Sequence, residues 1–151
     1  MLPVIAVLTA YLLAAQGSSL RLYSIPTSEE VRIATMAARD EGYDPRVEGT
    51  FLDELRSSDG KQPHAGYLTI GLYSGGRLVH SYSIRIQTGE MVDTRTCQLF
   101  DYPDLRQFRE KLRSNFGTDP VSTAQIAEEV GCTRIDVVHS PRKAKMVAGR
   151  F

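Results

Sequence analysis

The 151-residue chain has no tryptophan, two cysteines and no excess of either charge. Its 18 basic residues balance its 18 acidic residues, so no overall electric field draws it to nucleic acid or to an anionic membrane surface. The cysteines and the three histidines are not spaced as metal ligands. We therefore expect no nucleic-acid partner, no metal and no cofactor.

Signatures of common catalytic sites are also absent from the sequence. There is no G-x-S-x-G elbow, phosphate-binding loop or dinucleotide fingerprint. Ser74-Gly75-Gly76 comes nearest to a nucleophile elbow, but a turn explains it better. His64, His80 and His139 lie on separate segments, so a catalytic site would have to be assembled from distant residues. A histidine that meets a carboxylate or a cysteine in a concave pocket would favour an enzyme.

The start of the chain has the features of a secretory signal. The apolar run from Leu2 to Ala15 is shorter than the about 20 residues that a membrane span requires. Ala15 and Gly17 form a small-x-small cleavage site, which predicts a signal peptide at residues 1–17 and a mature chain that begins at Ser18. No basic residue precedes the apolar run, so an uncleaved anchor and a buried helix remain alternatives. We expect a periplasmic or secreted protein with no membrane span in the mature chain.

Export gives the two cysteines a simple interpretation. In an oxidising compartment, Cys97 and Cys132 are expected to form one disulfide. The alternative is two buried free thiols. Closing a loop of about 35 residues stabilises a small domain by roughly 3 to 4 kcal/mol in the chain-entropy model.

The rest of the chain is long enough for one domain. We expect a single α+β domain at residues 18–141 and a basic tail at residues 142–151. The pattern Thr27-Ser28-Glu29-Glu30 is a capping box that begins a helix, and Gly42 ends it. Two further helices are predicted within residues 101–117 and 122–131, before the last strand.

The strands are predicted from alternating and apolar runs between turn residues. They are Val47–Leu55, Gly66–Tyr73, Arg77–Gln87, Glu90–Phe100 and Cys132–His139. The first is the weakest of these, so the antiparallel sheet has four or five strands.

The loop between the second and third strands determines which side chains share a face. A three-residue loop, Ser74-Gly75-Gly76, pairs Leu72 with Leu78, Ile70 with His80 and Leu68 with Tyr82. That register gives one apolar face, which Ala34 and Ala38 of the first helix are expected to cover. A two-residue loop would mix polar and apolar side chains on both faces.

The opposite face of this hairpin carries Tyr67, Tyr73 and Arg85. Tyrosine and arginine are enriched at protein interfaces, so these three residues are a candidate binding face. The alternatives are an ordinary solvated face and a face covered by the later helices.

The order of elements and several short motifs resemble the PepSY-type domains of exported bacterial proteins. The resemblance rests on Glu30-Val31, Ala34, Ala38 and Gly42-Tyr43 in and after the first helix, and on the stretch Tyr82–Asp93 with its Thr88-Gly89-Glu90 turn. It covers about residues 27–95 and leaves out both cysteines. It implies a cystatin-like helix packed on an antiparallel sheet, in an exported binding or inhibitory module, and it implies no catalytic residue.

These observations favour an exported, non-catalytic binding or regulatory protein of the bacterial envelope. Its expected partner is another envelope or secreted protein. The alternatives are a small secreted hydrolase whose site is assembled from distant residues, and an immunity protein that blocks a toxin.

Overall fold

The computed structural model of the chain describes residues 27–141, so the predicted signal peptide and basic tail lie outside the described residues. Within the described residues there are three helices and one six-stranded sheet. The helices are α1 (Thr27–Asp40), α2 (Pro103–Phe116) and α3 (Thr123–Val130). The strands are β1 (Thr50–Glu54), β2 (Tyr67–Ser74), β3 (Arg77–Arg85), β4 (Met91–Asp93), β5 (Gln98–Phe100) and β6 (Asp136–Val138).

The strands lie in the sheet in the order of the chain, from β1 to β6. Neighbouring strands are antiparallel, except that β6 runs parallel to β5 after the excursion through α2 and α3. The structure confirms an α+β fold with one helix before the sheet and two helices before its last strand. Among the described residues, β1 and β6 form the two edges of the sheet.

The sheet has six strands, and four or five were predicted. One segment that was predicted as a single strand forms two strands in the structure. The run from Glu90 to Phe100 is divided into β4 and β5 by a turn over residues 94–97, in which Cys97 adopts a positive φ of 54°. The last strand is also shorter than predicted, since only Asp136–Val138 pairs with β5. Residues 94–97 include no glycine, proline or asparagine, so the sequence carries no ordinary turn signal there.

Helix α1 packs on one face of the sheet through small side chains. Ile33, Ala34, Ala37 and Ala38 are completely buried there. They lie three and four residues apart, which is the spacing of one helix face. Alanine at these positions lets the helix approach the strands closely. The core on this side also contains Leu68, Ile70, Leu72, Tyr82, Ile84, Met91, Phe100, Tyr102, Leu105 and Leu112.

The hairpin between β2 and β3 has a different loop from the predicted one. Gly75 and Gly76, both at positive φ, form a two-residue turn that pairs Ser74 with Arg77. The pairing then shifts by one residue at a bulge, where Val79 has no partner across the ladder. The predicted three-residue loop is therefore wrong.

The bulge allows a two-residue turn and a single apolar face to coexist. Beyond it, Ile70 lies opposite Tyr82, Leu68 opposite Ile84, and Leu72 opposite His80. These side chains share the face that α1 covers, as predicted, although every pairing differs from the predicted register. Leu78, which was expected on this face, lies on the other one, close to Gly71.

Helices α2 and α3 lie within the predicted ranges, and local signals mark their ends. Pro103 occupies the first turn of α2, and Gly117 follows its last residue in the left-handed conformation. The side chain of Ser122 accepts a hydrogen bond from the Gln125 amide at the start of α3, and Gly131 closes that helix. These signals act between neighbouring residues, so the sequence alone reveals them.

A second core lies on the opposite face of the sheet, under α3. It contains Tyr67, Val92, Leu99, Ile126, Ala127, Val130 and Ile135. Cys97 and Cys132 form a disulfide beside it, with Cα atoms 6.0 Å apart, as the sequence predicts. The bond joins the turn before β5 to the end of α3 and so holds the helix over this core.

Candidate functional site

The candidate binding face predicted at Tyr67, Tyr73 and Arg85 is not an open surface. Tyr67 is only 2% exposed, because α3 lies over it. Its hydroxyl donates a hydrogen bond to Glu129 of α3 at 2.5 Å, and the Arg85 guanidinium pairs with the same carboxylate at 3.0 Å. Tyr73 and Arg85 keep partial exposure. Most of the predicted face is therefore the contact between the sheet and α3.

This contact extends into a network of ion pairs inside the protein. Arg85 donates to Thr88, Thr88 donates to Glu90, and Glu90 pairs with Arg113 of α2 at 3.1 Å. The hydrogen bonds from Arg85 lower the pKa of Glu129 to about 2. The network connects α2 and α3 through the sheet, and its charged groups have partners. It therefore holds α2 and α3 against the sheet.

His80 meets two carboxylates. Its Nδ1 lies 2.8 Å from a carboxylate oxygen of Asp93 in β4, and its Nε2 lies 3.9 Å from one of Glu41, just after α1. The imidazole ring stacks on Tyr82, with ring centroids 5.3 Å apart, and packs edge-on against Tyr43. The sequence does not predict this cluster, because its members come from three separate segments.

The geometry around His80 is incomplete for nucleophilic catalysis. A histidine that activates a serine, threonine or cysteine nucleophile lies within hydrogen-bond reach of that side chain. Within residues 27–141, both ring nitrogens face carboxylates, and no hydroxyl or thiol forms a hydrogen bond with them. The side chain is only 18% exposed. Two surface pockets, one beside α3 and one lined by α1 and α2, do not include His80.

The other two histidines have separate surroundings. His64 is half-buried against the ring of Tyr67, and this burial lowers the pKa of His64. His139 is exposed after β6, with its Nδ1 3.3 Å from Asp101. In the described part of the chain, no three His, Cys, Asp or Glu side chains form a group that could hold a metal ion. In that part, no helix is both long enough and apolar enough to cross a membrane.

The most prominent exposed apolar side chains lie at the β1 edge of the sheet. Phe51 is 47% exposed, and its ring stacks on Tyr73 with centroids 4.9 Å apart and planes 9° apart. Val47, just before β1, is 59% exposed. We call Phe51 and Tyr73, together with the exposed Val47 before β1, the aromatic edge. The weak alternation of residues 47–55 gave no clear prediction for the aromatic edge. The available signal in the sequence was Phe51, a large aromatic residue in a segment with few other apolar residues.

The aromatic edge is bordered by acidic side chains. Glu48 and Asp53 are exposed and form no ion pair with another described residue. The basic neighbour Arg56 is already paired with Glu54 at 2.6 Å. Aromatic side chains are enriched at surfaces that bind other proteins, and the rims of such surfaces are polar. The β1 edge is therefore our candidate functional site.

Comparisons with known proteins show the fold more clearly than the family. The chain matches no known family, and it matches no curated protein. It is similar to a chain in the solved structure of a type VI secretion system effector-immunity complex from Pseudomonas protegens. The two chains are 21% identical with a TM-score of 0.64, over 74% of this chain and 92% of the other. They share a fold, and the resemblance to PepSY domains remains a prediction.

Proposed function

We propose that this protein is an immunity protein that binds a toxin effector and blocks it. The observation that carries the proposal is the shared fold with a chain of an effector-immunity complex, because the similarity extends over 92% of that chain. A fold does not determine a function by itself. The exposed side chains and the arrangement around His80 are the further support.

Two features favour binding over catalysis: the surroundings of His80 and the exposed rings at the β1 edge. The only histidine that meets two carboxylates within residues 27–141 is largely buried and forms no hydrogen bond with a nucleophile. The aromatic edge, in contrast, displays a rigid pair of rings where the sheet has no further strand among the described residues. An immunity protein requires such a contact surface and requires no catalytic group.

The disulfide and the predicted signal peptide favour a protein that works outside the cytoplasm. Disulfides persist in the periplasm and in secreted proteins, and most cytosolic thiols stay reduced. An immunity protein must be present where its toxin acts. We therefore propose that the toxin acts in the periplasm.

Neutralisation in living cells tests this proposal. A candidate toxin, co-purified with this protein from the native cell envelope, is expressed in a bacterial host and exported to the periplasm, with and without this protein. We expect growth to stop without the protein and to resume with it. The matched control lacks residues 1–17, so it should stay in the cytoplasm and fail to protect.

A binding measurement separates direct inhibition from indirect protection. The purified pair should elute together in gel filtration, with a dissociation constant in the nanomolar range typical of tight inhibitory complexes. Growth that this protein does not restore, or two components that elute separately, would contradict the proposal.

A further inference from the structure

We infer that the partner adds an extended strand to the free edge of β1, with an apolar side chain against Phe51 and a basic side chain near Asp53. The identity of the partner as a toxin rests on the proposed function. The mode of binding follows from the edge itself, so the two can be tested separately.

The hydrogen bonds of β1 show which backbone groups are available to a partner. Gly75 donates to the Gly49 carbonyl at 3.0 Å, and Leu55 donates to Thr69 at 2.8 Å. In an antiparallel ladder, the residues that face the neighbouring strand alternate. The odd-numbered residues of β1 therefore bond to β2, and Leu52 and Glu54 direct their N–H and C=O groups outward.

The outward groups form a short, usable edge. The amide of Thr50 already donates to the Val47 carbonyl at 3.0 Å, which leaves the Thr50 carbonyl and both groups of Leu52 and Glu54 for a partner. Protein edges are often protected by proline or lysine. Strand β1 contains neither. Its short length of five residues limits pairing to a few hydrogen bonds, so side chains must supply the remaining affinity.

The side chains beside this edge are arranged to hold an incoming strand. Phe51 and Asp53 point to the same side of the sheet, because alternate residues of a strand share a face. On that side the Phe51 ring is already ordered by stacking on Tyr73, so little rotamer freedom is lost on binding. Two partner residues, two positions apart, would lie beside Phe51 and Asp53.

Charge identifies the chemistry of the partner. Asp53 and Glu48 lack an ion pair with any described residue, so a lysine or arginine in the added strand would gain a carboxylate partner. A second copy of this chain does not fit as well. Pairing β1 with its own copy around Leu52 would place Asp53 opposite Phe51 and leave the carboxylates uncompensated. We therefore commit to a basic, alternating segment of another protein.

Selection from a library of random 12-residue peptides tests the inference without knowledge of the toxin. The purified exported protein is immobilised as bait. We expect enriched peptides to carry an aromatic or branched aliphatic residue two positions from a lysine or arginine. Amide hydrogen exchange at Leu52 and Glu54 should slow when an enriched peptide is bound.

Two variants at one position separate backbone pairing from side-chain effects. Proline at residue 54 removes an outward N–H and no bond to β2, so β1 should stay paired. We expect Glu54→Pro to weaken peptide binding about tenfold, because it removes one hydrogen bond and disturbs the next. Glu54→Ala keeps the N–H and should bind within about threefold of the original protein. Circular dichroism and thermal melting confirm that both variants are folded.

Several outcomes would overturn the inference. Equal peptide binding by Glu54→Pro and Glu54→Ala would exclude backbone pairing, and enriched peptides without the predicted spacing would exclude the proposed contacts. If removal of residues 142–151 accelerates exchange at Leu52 and Glu54, the chain's own basic tail occupies the edge. Protection of bacterial growth by Glu54→Pro, at the level of Glu54→Ala, would leave the immunity function in place and exclude this mode of binding. If peptides bind as expected but the protein neutralises no toxin, the proposed mode of binding would stand and the immunity function would be excluded.

Discussion

Glu30 offers the sharpest test of the energetics of this fold. It lies in the first turn of α1 and is only 1% exposed, and its Oε1 has no hydrogen-bond partner among the described residues. Burial raises the pKa of Glu30 from its ordinary value of 4.5 to about 7. At pH 8 the folded protein therefore holds a buried negative charge that the unfolded chain would expose to water. Replacement by glutamine keeps the shape and removes the charge.

The sign of the effect follows from proton binding. Between pH 4.5 and about 7, the folded state binds more protons at Glu30 than the unfolded state, so its stability falls as the pH rises. Below pH 4.5 the carboxyl group is neutral in both states, and the penalty disappears. A pKa that rises from 4.5 to about 7 corresponds to on the order of 3 kcal/mol at about 1.4 kcal/mol per pH unit. We expect Glu30→Gln to stabilise the protein by up to about this amount at pH 8 and by little at pH 4.

Urea denaturation of both proteins at pH 4, 6 and 8 measures this difference. Asp40 also has a pKa raised to about 7, chiefly by burial and then by Asp104, but it affects both proteins equally and cancels in the comparison. Glu29→Gln is the matched control, since Glu29 is a solvent-accessible neighbour paired with Arg32, and such pairs contribute less than about 1 kcal/mol. An advantage of Glu30→Gln that is the same at pH 4 and pH 8 would refute the reasoning.

Four further predictions concern the surface, the disulfide, the core and the leader. Phe51→Ala should weaken binding of the neutralised toxin about 10- to 100-fold in calorimetry, while loss of its stacking on Tyr73 should lower the free energy of unfolding by only about 1 kcal/mol; Val137→Ala at the other edge should leave toxin binding unchanged. Cys97→Ser should lower the free energy of unfolding by about 3 to 4 kcal/mol. Alkylation of the original protein, denatured but not reduced, should add no mass, and two added alkyl groups would show that both thiols are free. Ile70→Ala should cost about 2 to 5 kcal/mol in urea denaturation, and a loss below about 1 kcal/mol would contradict its place in the core. Intact-mass measurement of exported material should give a chain that begins at Ser18, and retention of the leader would indicate a membrane anchor.

Local signals in the sequence determine much of this fold. The N-cap at Ser122 and the glycines after α2 and α3 act through hydrogen bonds within one helical turn, so they can be read from neighbouring residues. The apolar alternation of β2 likewise determines that Leu68, Ile70 and Leu72 share the face under α1, whereas in β3 the alternation fails at Leu78. Two cysteines allow only one intramolecular pair. The α+β class follows from these features together.

The tertiary structure alone decides the features on which function depends. The bulge at Val79 reconciles a two-residue turn with a buried apolar face, and its cost is repaid only by packing across the sheet. The sequence predicts Tyr67 as a contact residue, but in the structure its hydroxyl bonds to Glu129 of α3, which lies 62 residues later in the chain. Phe51 becomes part of the proposed binding surface because its ring stacks on Tyr73, a residue of the neighbouring strand. These contacts depend on which distant segments of the chain bury the most surface when they pack together. Residue spacing along the chain does not predict that packing.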